Sequence, residues 1–181
     1  MMHPLDKFAY CPVCGSRQFE VNNFKSKKCA DCGFTYYANP CSATVAFILR
    51  TVADADGSHE EMLVATRAKE PAKGTLDLVG GFVDMEETIE EGMRREIMEE
   101  TGLTVEAMEY RFSLPNLYEY SGMTIHTLDM FFVVRVDSNV QPKADDDVAK
   151  LQWMRLEEID YRLFGLRSIS LGVKRFVEEN R

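Results

Sequence analysis

Residues 80–103 read GGFVDMEETIEEGMRREIMEETGL, and no other stretch constrains the fold as tightly. The preceding LDLV leads into the double glycine as a short strand, and glycine lets the backbone turn where other residues resist. Thr88 then stands three residues before Glu91, a capping box that predicts a helix beginning near Thr88. Ile89, Met93 and Ile97 recur along it at helical spacing and mark a face turned to a core.

Seven glutamates share this stretch. Glu96, Glu99 and Glu100 are spaced i, i+3 and i+4, which confines them to one arc of about 100° on the helix. The apolar arc overlaps theirs at Glu100, so the acidic patch is expected at the edge of the core. Like charges at this spacing cost a few tenths of a kcal/mol per pair in an isolated helix. A divalent cation between them reverses that sign, whereas a solvated helix face merely tolerates it. Oxygen donors with no histidine or thiolate beside them select Mg²⁺ or Mn²⁺ over zinc. Such ions neutralise phosphate oxygens and activate a bound water, and they explain how an acidic protein holds an anionic substrate.

A second constraint lies near the start of the chain. CPVCG places Cys11 and Cys14, and CADCG places Cys29 and Cys32, on two tight turns separated by fourteen residues. Two such knuckles facing each other complete a tetrahedral four-sulfur site for structural Zn²⁺, which leaves no open position for chemistry. A rubredoxin-like iron site uses similar knuckles. About forty residues hold little core without such a staple. Cys41, at the head of the strand CSATVAFIL, is expected to be a buried small apolar side chain.

The formal charge of −9 is unevenly distributed. Lys7, Arg17, Lys25, Lys27 and Lys28 against Asp6, Glu20 and Asp31 give the first forty residues +2, leaving −11 for the rest. An acidic body argues against non-specific nucleic-acid binding by the main domain; the basic FKSKK loop between the knuckles reads either as a nucleic-acid contact or as a solvated turn. No secretory signal is visible in MMHPLDKFAYC, and the longest apolar runs are too short to span a bilayer. The chain is therefore expected in the cytoplasm, with no membrane partner, where thiols stay reduced and serve metals better than disulfides.

Beyond the knuckles, ATVAFILR and MLVATR read as strands separated by the polar TVADADGSHEE, and AKEPAKGTLD reads as a loop. Two β-rich runs flank a YSG turn after the helix, followed by an acidic DDD loop, a strand around Leu151 to Met154 and a terminal helix near Ser168 to Glu179.

From Gly81 the order Gly81, Glu87, Arg95, Glu96, Ile97, Glu99, Glu100, Gly102, Leu103 resembles the complete Nudix box, with all nine specified positions filled. At average residue usage, a chance match is on the order of one in a billion per start point. The resemblance implies an α/β fold, an αβα sandwich around a mixed sheet, with a zinc ribbon at residues 1–39 and a Nudix hydrolase domain at 40–181. It further implies hydrolysis of a nucleoside diphosphate joined to another group. Glu96, Glu99 and Glu100 become the expected Mg²⁺ ligands, with Glu87 near them and Arg95 pairing with a carboxylate to hold the loop. Any of the acidic ligands suits the role of base. Relatives commonly add an acidic residue from a late loop, which makes Asp146 and Asp147 candidate ligands. Arg67 resembles a residue that contacts substrate phosphate, with a surface ion pair as its alternative. Tyr118 and Tyr120 stand where aromatic residues stack on a base, with core packing as theirs.

A cysteine ribbon ahead of such a domain is similar to bacterial NADH pyrophosphatases, which also remove NAD caps from RNA. Their SQPWPFP signature is replaced here by SLPNLYEYSG, which shares only Ser113 and Pro115. The expected substrate is thus a nucleotide conjugate such as ADP-ribose, NADH or FAD, with capped RNA ends left open and a homodimer implied by resemblance alone. A Nudix-fold nucleotide sensor that signals through its ribbon is the alternative. The complete carboxylate set favours the enzyme.

Overall fold

The computed structural model describes residues 3–55, 57–144 and 148–180. The chain divides into two compact units, Met1–Pro40 with Leu117–His126, and Cys41–Asn116 with Thr127–Arg181. In the first, β1 (Phe19–Asn23), β2 (Ser26–Cys29) and β3 (Thr35–Tyr37) form an antiparallel sheet in that order. Its core is small, Cys11, Phe19 and Cys29 with Phe8 and Phe34 against them, which is why so short a module needs its sulfurs.

The second unit holds most of a six-stranded mixed sheet, all but its Leu117–His126 turn. Its strands are β4 (Cys41–Asp54), β5 (Gly57–Arg67), β6 (Leu76–Asp77), β7 (Glu109–Tyr120), β8 (Met123–Arg135) and β9 (Val148–Arg155). The order is β6-β5-β4-β8-β7, with β9 also paired to β5. β4 and β8 run parallel, from Cys41 opposite Thr127 to Leu49 opposite Arg135, while β4 and β5 are antiparallel. Ser121 and Gly122, both at positive φ, make the tight β7–β8 turn.

Residues alternate along β4 between two cores, one per face. Val45, Phe47 and Leu49 join Ile169, Val173, Phe176 and Val177 of the C-terminal helix α2 (Arg167–Glu179). Ala46 and Ile48 join Met93 and Ile97 of α1 (Ile89–Thr101). The expected αβα layering is present. Leu166, at the start of α2, supplies no side-chain cap; instead Ser168 of its first turn donates to buried Asp129, which also accepts from Thr127 Oγ1 at 2.6 Å.

Two local expectations are corrected. Cys41 is exposed, not buried, because the cores take up β4 only from Thr44 onward. The polar stretch after Arg50 is largely strand: β4 continues to Asp54 and β5 starts at Gly57. Cross-strand ion pairs carry this extension, among them Arg50 with Glu61 at 2.6 Å, so hydrophobicity alone misses it.

Candidate active site

The box segment is positioned by two glycines. Residues 79–83 run beside β4, with Ala46 N donating to Val79 O (2.9 Å), Thr44 N to Gly81 O (2.9 Å) and Val83 N to Ser42 O (3.1 Å). At Gly80, φ is +151°, and a Cβ would lie 2.0 Å from Thr44 O. A Cβ on Gly81 would lie 2.6 Å from both carboxylate oxygens of Glu96. The first glycine admits the backbone; the second admits a carboxylate.

α1 starts on the predicted capping box: Glu91 N donates to Thr88 Oγ1 at 3.2 Å and Thr88 N to Glu91 Oε2 at 2.8 Å. It ends at Gly102 in the left-handed conformation. Between these stops the helix turns Met93 and Ile97 inward and leaves Glu100 at the core edge, 8% exposed. Glu100 Oε2 accepts from Gly80 N at 3.1 Å.

Arg95 ties the remaining carboxylates together. Its Nε and Nη2 grip the two oxygens of Glu87 at 2.8 and 2.9 Å, and Nη2 also donates to Phe82 O at 2.9 Å. Its Nη1 donates to Glu96 Oε1 at 2.7 Å and Glu99 Oε2 at 3.1 Å. The Arg95 hydrogen bond, followed by one from the Asp84 amide, lowers the Glu87 pKa to about 2. Reciprocally, Glu87 first and Glu96 next raise that of Arg95. Glu87 therefore stays anionic and Arg95 cationic throughout the neutral range.

Of the predicted ligand trio, Glu96 and Glu99 meet on one guanidinium nitrogen and Glu100 faces the Gly80 amide. Among the described residues, only the four cysteine sulfurs lie all within 4.8 Å of one another. The carboxylates nonetheless fit a hard cation. Their donors are all oxygen, two of them already share one positively charged group, and the missing Gly81 side chain leaves room for the Glu96 carboxylate.

The other predicted residues fall elsewhere. Arg67 forms a partly buried ion pair with Asp77 and donates from Nε to Pro71 O at 2.7 Å. Desolvation raises the Asp77 pKa against the pull of Arg67. Tyr118 is half-buried and Tyr120 58% exposed, both at the β7 end that clusters with the first forty residues. Asp146 and Asp147 lie outside the described residues. Asp77, the Phe82 carbonyl and the Gly80 amide were not foreseen. The double glycine was the available signal for the last two, because residues without side chains expose backbone groups; Asp77 carried none.

In the ribbon, Cys11 Sγ lies 3.7 Å from Cys32 Sγ, and Cys14 Sγ 3.6 Å from Cys29 Sγ. A zinc tetrahedron with arms of about 2.3 Å has edges of about 3.8 Å, which both of these pairs match, and all four sulfurs lie within 4.8 Å of one another. Gly15 N and Gly33 N close the knuckles onto Cys11 O (2.9 Å) and Cys29 O (3.0 Å). The Cys32 amide, then that of Asp31, lowers the Cys29 pKa to about 7, favouring its thiolate. At Cys14 a backbone hydrogen bond involving Ser16 acts to lower the pKa, but the Cys32 thiol, burial and the other two thiols push it up to about 12.

A family model described as the NUDIX domain matches residues 44–171. The NAD-capped RNA hydrolase NudC of Deinococcus radiodurans is 26% identical over 150 residues, which cover 83% of this chain and 50% of that protein. This chain thus spans about half the length of that relative. Among solved structures, a NUDIX hydrolase from Nitrosomonas europaea superposes with a TM-score of 0.64 at 20% identity, covering 94% of this chain and 90% of the other. The NUDIX domain of Shewanella oneidensis NrtR, complexed with ADP ribose, gives 0.63 at 15% identity, covering 80% and 91%. Among the described residues, no helix is long and apolar enough to cross a membrane.

Proposed function

The chain belongs to the Nudix family, and on that premise we propose that it is a metal-dependent pyrophosphohydrolase. It cleaves the diphosphate linkage of a nucleoside diphosphate derivative of the ADP-ribose, NADH or FAD kind. The observation that carries this reading is the sharing of Arg95 Nη1 by Glu96 and Glu99 on the same helix whose Glu100 accepts from the Gly80 amide. Glu96, Glu99 and Glu100 would hold the divalent ion, with Asp146 and Asp147 as further candidates. When bound, Mg²⁺ or Mn²⁺ neutralises phosphate oxygens and makes a water nucleophilic near neutral pH.

The protein's own groups do the positioning. Arg95 clamps Glu87 and Phe82 O, so the loop of residues 82–87 is fixed to the helix. Glu100 is the most buried of the trio, at 8% exposure, and any of the three carboxylates suits the role of base on the attacking water. Tyr118 and Tyr120 are proposed for the base and Arg67 for phosphate; Arg67 reaches a substrate only by exchanging its contact with Asp77. The reading places the enzyme in the cytoplasm, with the ribbon at residues 1–39 zinc-bound and the chain paired as a homodimer, for which a dimeric mass by light scattering is the check. The names of the relatives support including NAD-capped RNA among the substrates tried.

The test is product analysis on ADP-ribose, NADH, FAD, a diadenosine polyphosphate and NAD-capped RNA with Mg²⁺. Glu99→Gln and Glu100→Gln are compared with the unaltered protein. Release of a nucleoside monophosphate, abolished in both variants, is the expected result. Tight nucleotide binding without turnover on any of the five overturns the enzyme in favour of a sensor.

A further inference from the structure

The two faces of the ribbon sheet carry different side chains. On one side the ring of Phe8 stacks on Tyr36 at 5.9 Å, and Lys27 lies over Phe19 with Nζ donating to Phe8 O at 2.8 Å. Lys27 is thereby taken out of solvent. The register puts Ser26 opposite Tyr37 and Lys28 opposite Thr35, so Lys28 and Tyr37 stand on the other side. At the β1–β2 connection beside them, Phe24 is 82% exposed, while Tyr37 is 46% exposed. Lys25 Nζ lies 6.0 Å from the centroids of both rings. Glu20 faces Lys28 across the β1–β2 pair, whereas no ion pair involves Lys25 among the described residues.

We propose that this exposed patch binds single-stranded nucleic acid, with Phe24 and Tyr37 stacking on bases and Lys25 and Lys28 contacting phosphates. Two exposed rings around one ammonium offer π-faces and positive charge a few ångströms apart, the combination that tracks a single strand. An acidic peptide would satisfy the ammonium groups but leave the rings without stacking partners. A duplex hides its base faces and gives the rings nothing to stack on. The charge distribution agrees, because the first forty residues carry +2 in a chain of −9 and are the part of the sequence that favours a polyanion. This binding is independent of the hydrolysis proposed above.

Fluorescence anisotropy tests it with the zinc-loaded full chain, without Mg²⁺, on labelled U12 RNA, dT12 DNA and a twelve-base-pair duplex at low and moderate salt. Single strands are expected to bind and the duplex at least tenfold more weakly. A preference for U12 over dT12 identifies RNA as the ligand, and equal binding a generic single strand. The double variant F24A/Y37A raises Kd at least tenfold. K25A/K28A flattens the salt dependence by about 1.4 in log–log slope, from two phosphate contacts at about 0.7 each. Both variants alter exposed side chains and retain zinc, which excludes unfolding as the cause. The proposal is overturned if neither single strand binds at low salt, if the duplex binds as well, or if both double variants bind undiminished.

Discussion

Gly80 and Gly81 are neighbours in sequence, yet adding one methyl group to each is expected to damage different properties. In Gly80→Ala the new Cβ would lie 2.0 Å from Thr44 O, 2.9 Å from Thr44 C and 3.0 Å from Val45 Cα. All three are backbone atoms of β4, a strand held on its far side by the parallel pairing with β8. The clash therefore cannot relax by a side-chain rotation. Positive-φ strain of about 1–3 kcal/mol and overpacking of about 1–3 kcal/mol combine to about 4 kcal/mol. At about 2–4 °C per kcal/mol for a domain of this size, Tm falls by roughly 8–16 °C. In Gly81→Ala the clash is with the tip of Glu96, which swings away, so stability changes by less than about 1 kcal/mol. The displaced carboxylate leaves Arg95 Nη1, and Mg²⁺ affinity is expected to fall about 10–100-fold, the usual cost of disturbing a ligand's support. Thermal melts followed by circular dichroism and calorimetric Mg²⁺ titrations separate the two effects. Equal Tm losses in the two variants, or a Gly80→Ala protein that melts like the parent, would refute the reasoning.

Elemental analysis after dialysis against Mg²⁺ buffer is expected to find one zinc per chain, lost in Cys29→Ser; iron, or no metal, would remove the zinc reading. The folded pKa of Glu87, about 2, lies below its ordinary 4.5. Its pairing with Arg95 therefore stabilises the fold fully above pH 4.5, and that contribution disappears as pH falls toward 2. The Tm gap between the parent and Glu87→Gln should be constant above about pH 5 and close in acid, as scanning calorimetry at several pH values would reveal. Phe47 stacks on Phe176 at 4.2 Å and on Phe131 at 5.5 Å, so Phe47→Ala is expected to cost about 3–5 kcal/mol by urea titration. A loss under about 1 kcal/mol would contradict the packing described.

What the sequence revealed was chiefly local. Thr88 and Glu91 announce their helix because both capping bonds lie within four residues, and the knuckles announce themselves because CxxC sets two sulfurs on one turn. The convergence of Glu96 and Glu99 followed from helical angle alone. Contacts set by the tertiary fold were less legible. β5 begins at Gly57, well before the apolar run, because Arg50 and Arg155 reach across to Glu61 and Asp54. Glu60 likewise takes Arg135 from β8, which no local pattern foretells. Cys41 begins an apolar strand, but its exposure depends on where the helices stop covering the sheet. That Arg95 holds three carboxylates at once was invisible for a related reason: the box fixes its position on the helix but not the side-chain rotamer.

The parallel pairing of β4 with β8 also has a consequence during synthesis. β4 can close its hairpin with β5 as soon as both emerge, but its other edge must wait for Thr127–Arg135. At ribosomal speeds of about 5–20 residues per second, the run Val45–Leu49 spends roughly 4–17 s with one edge unpaired. Until β8 arrives, that edge offers its hydrogen bonds to any strand that meets it, and slower translation between the two strands lengthens the exposure.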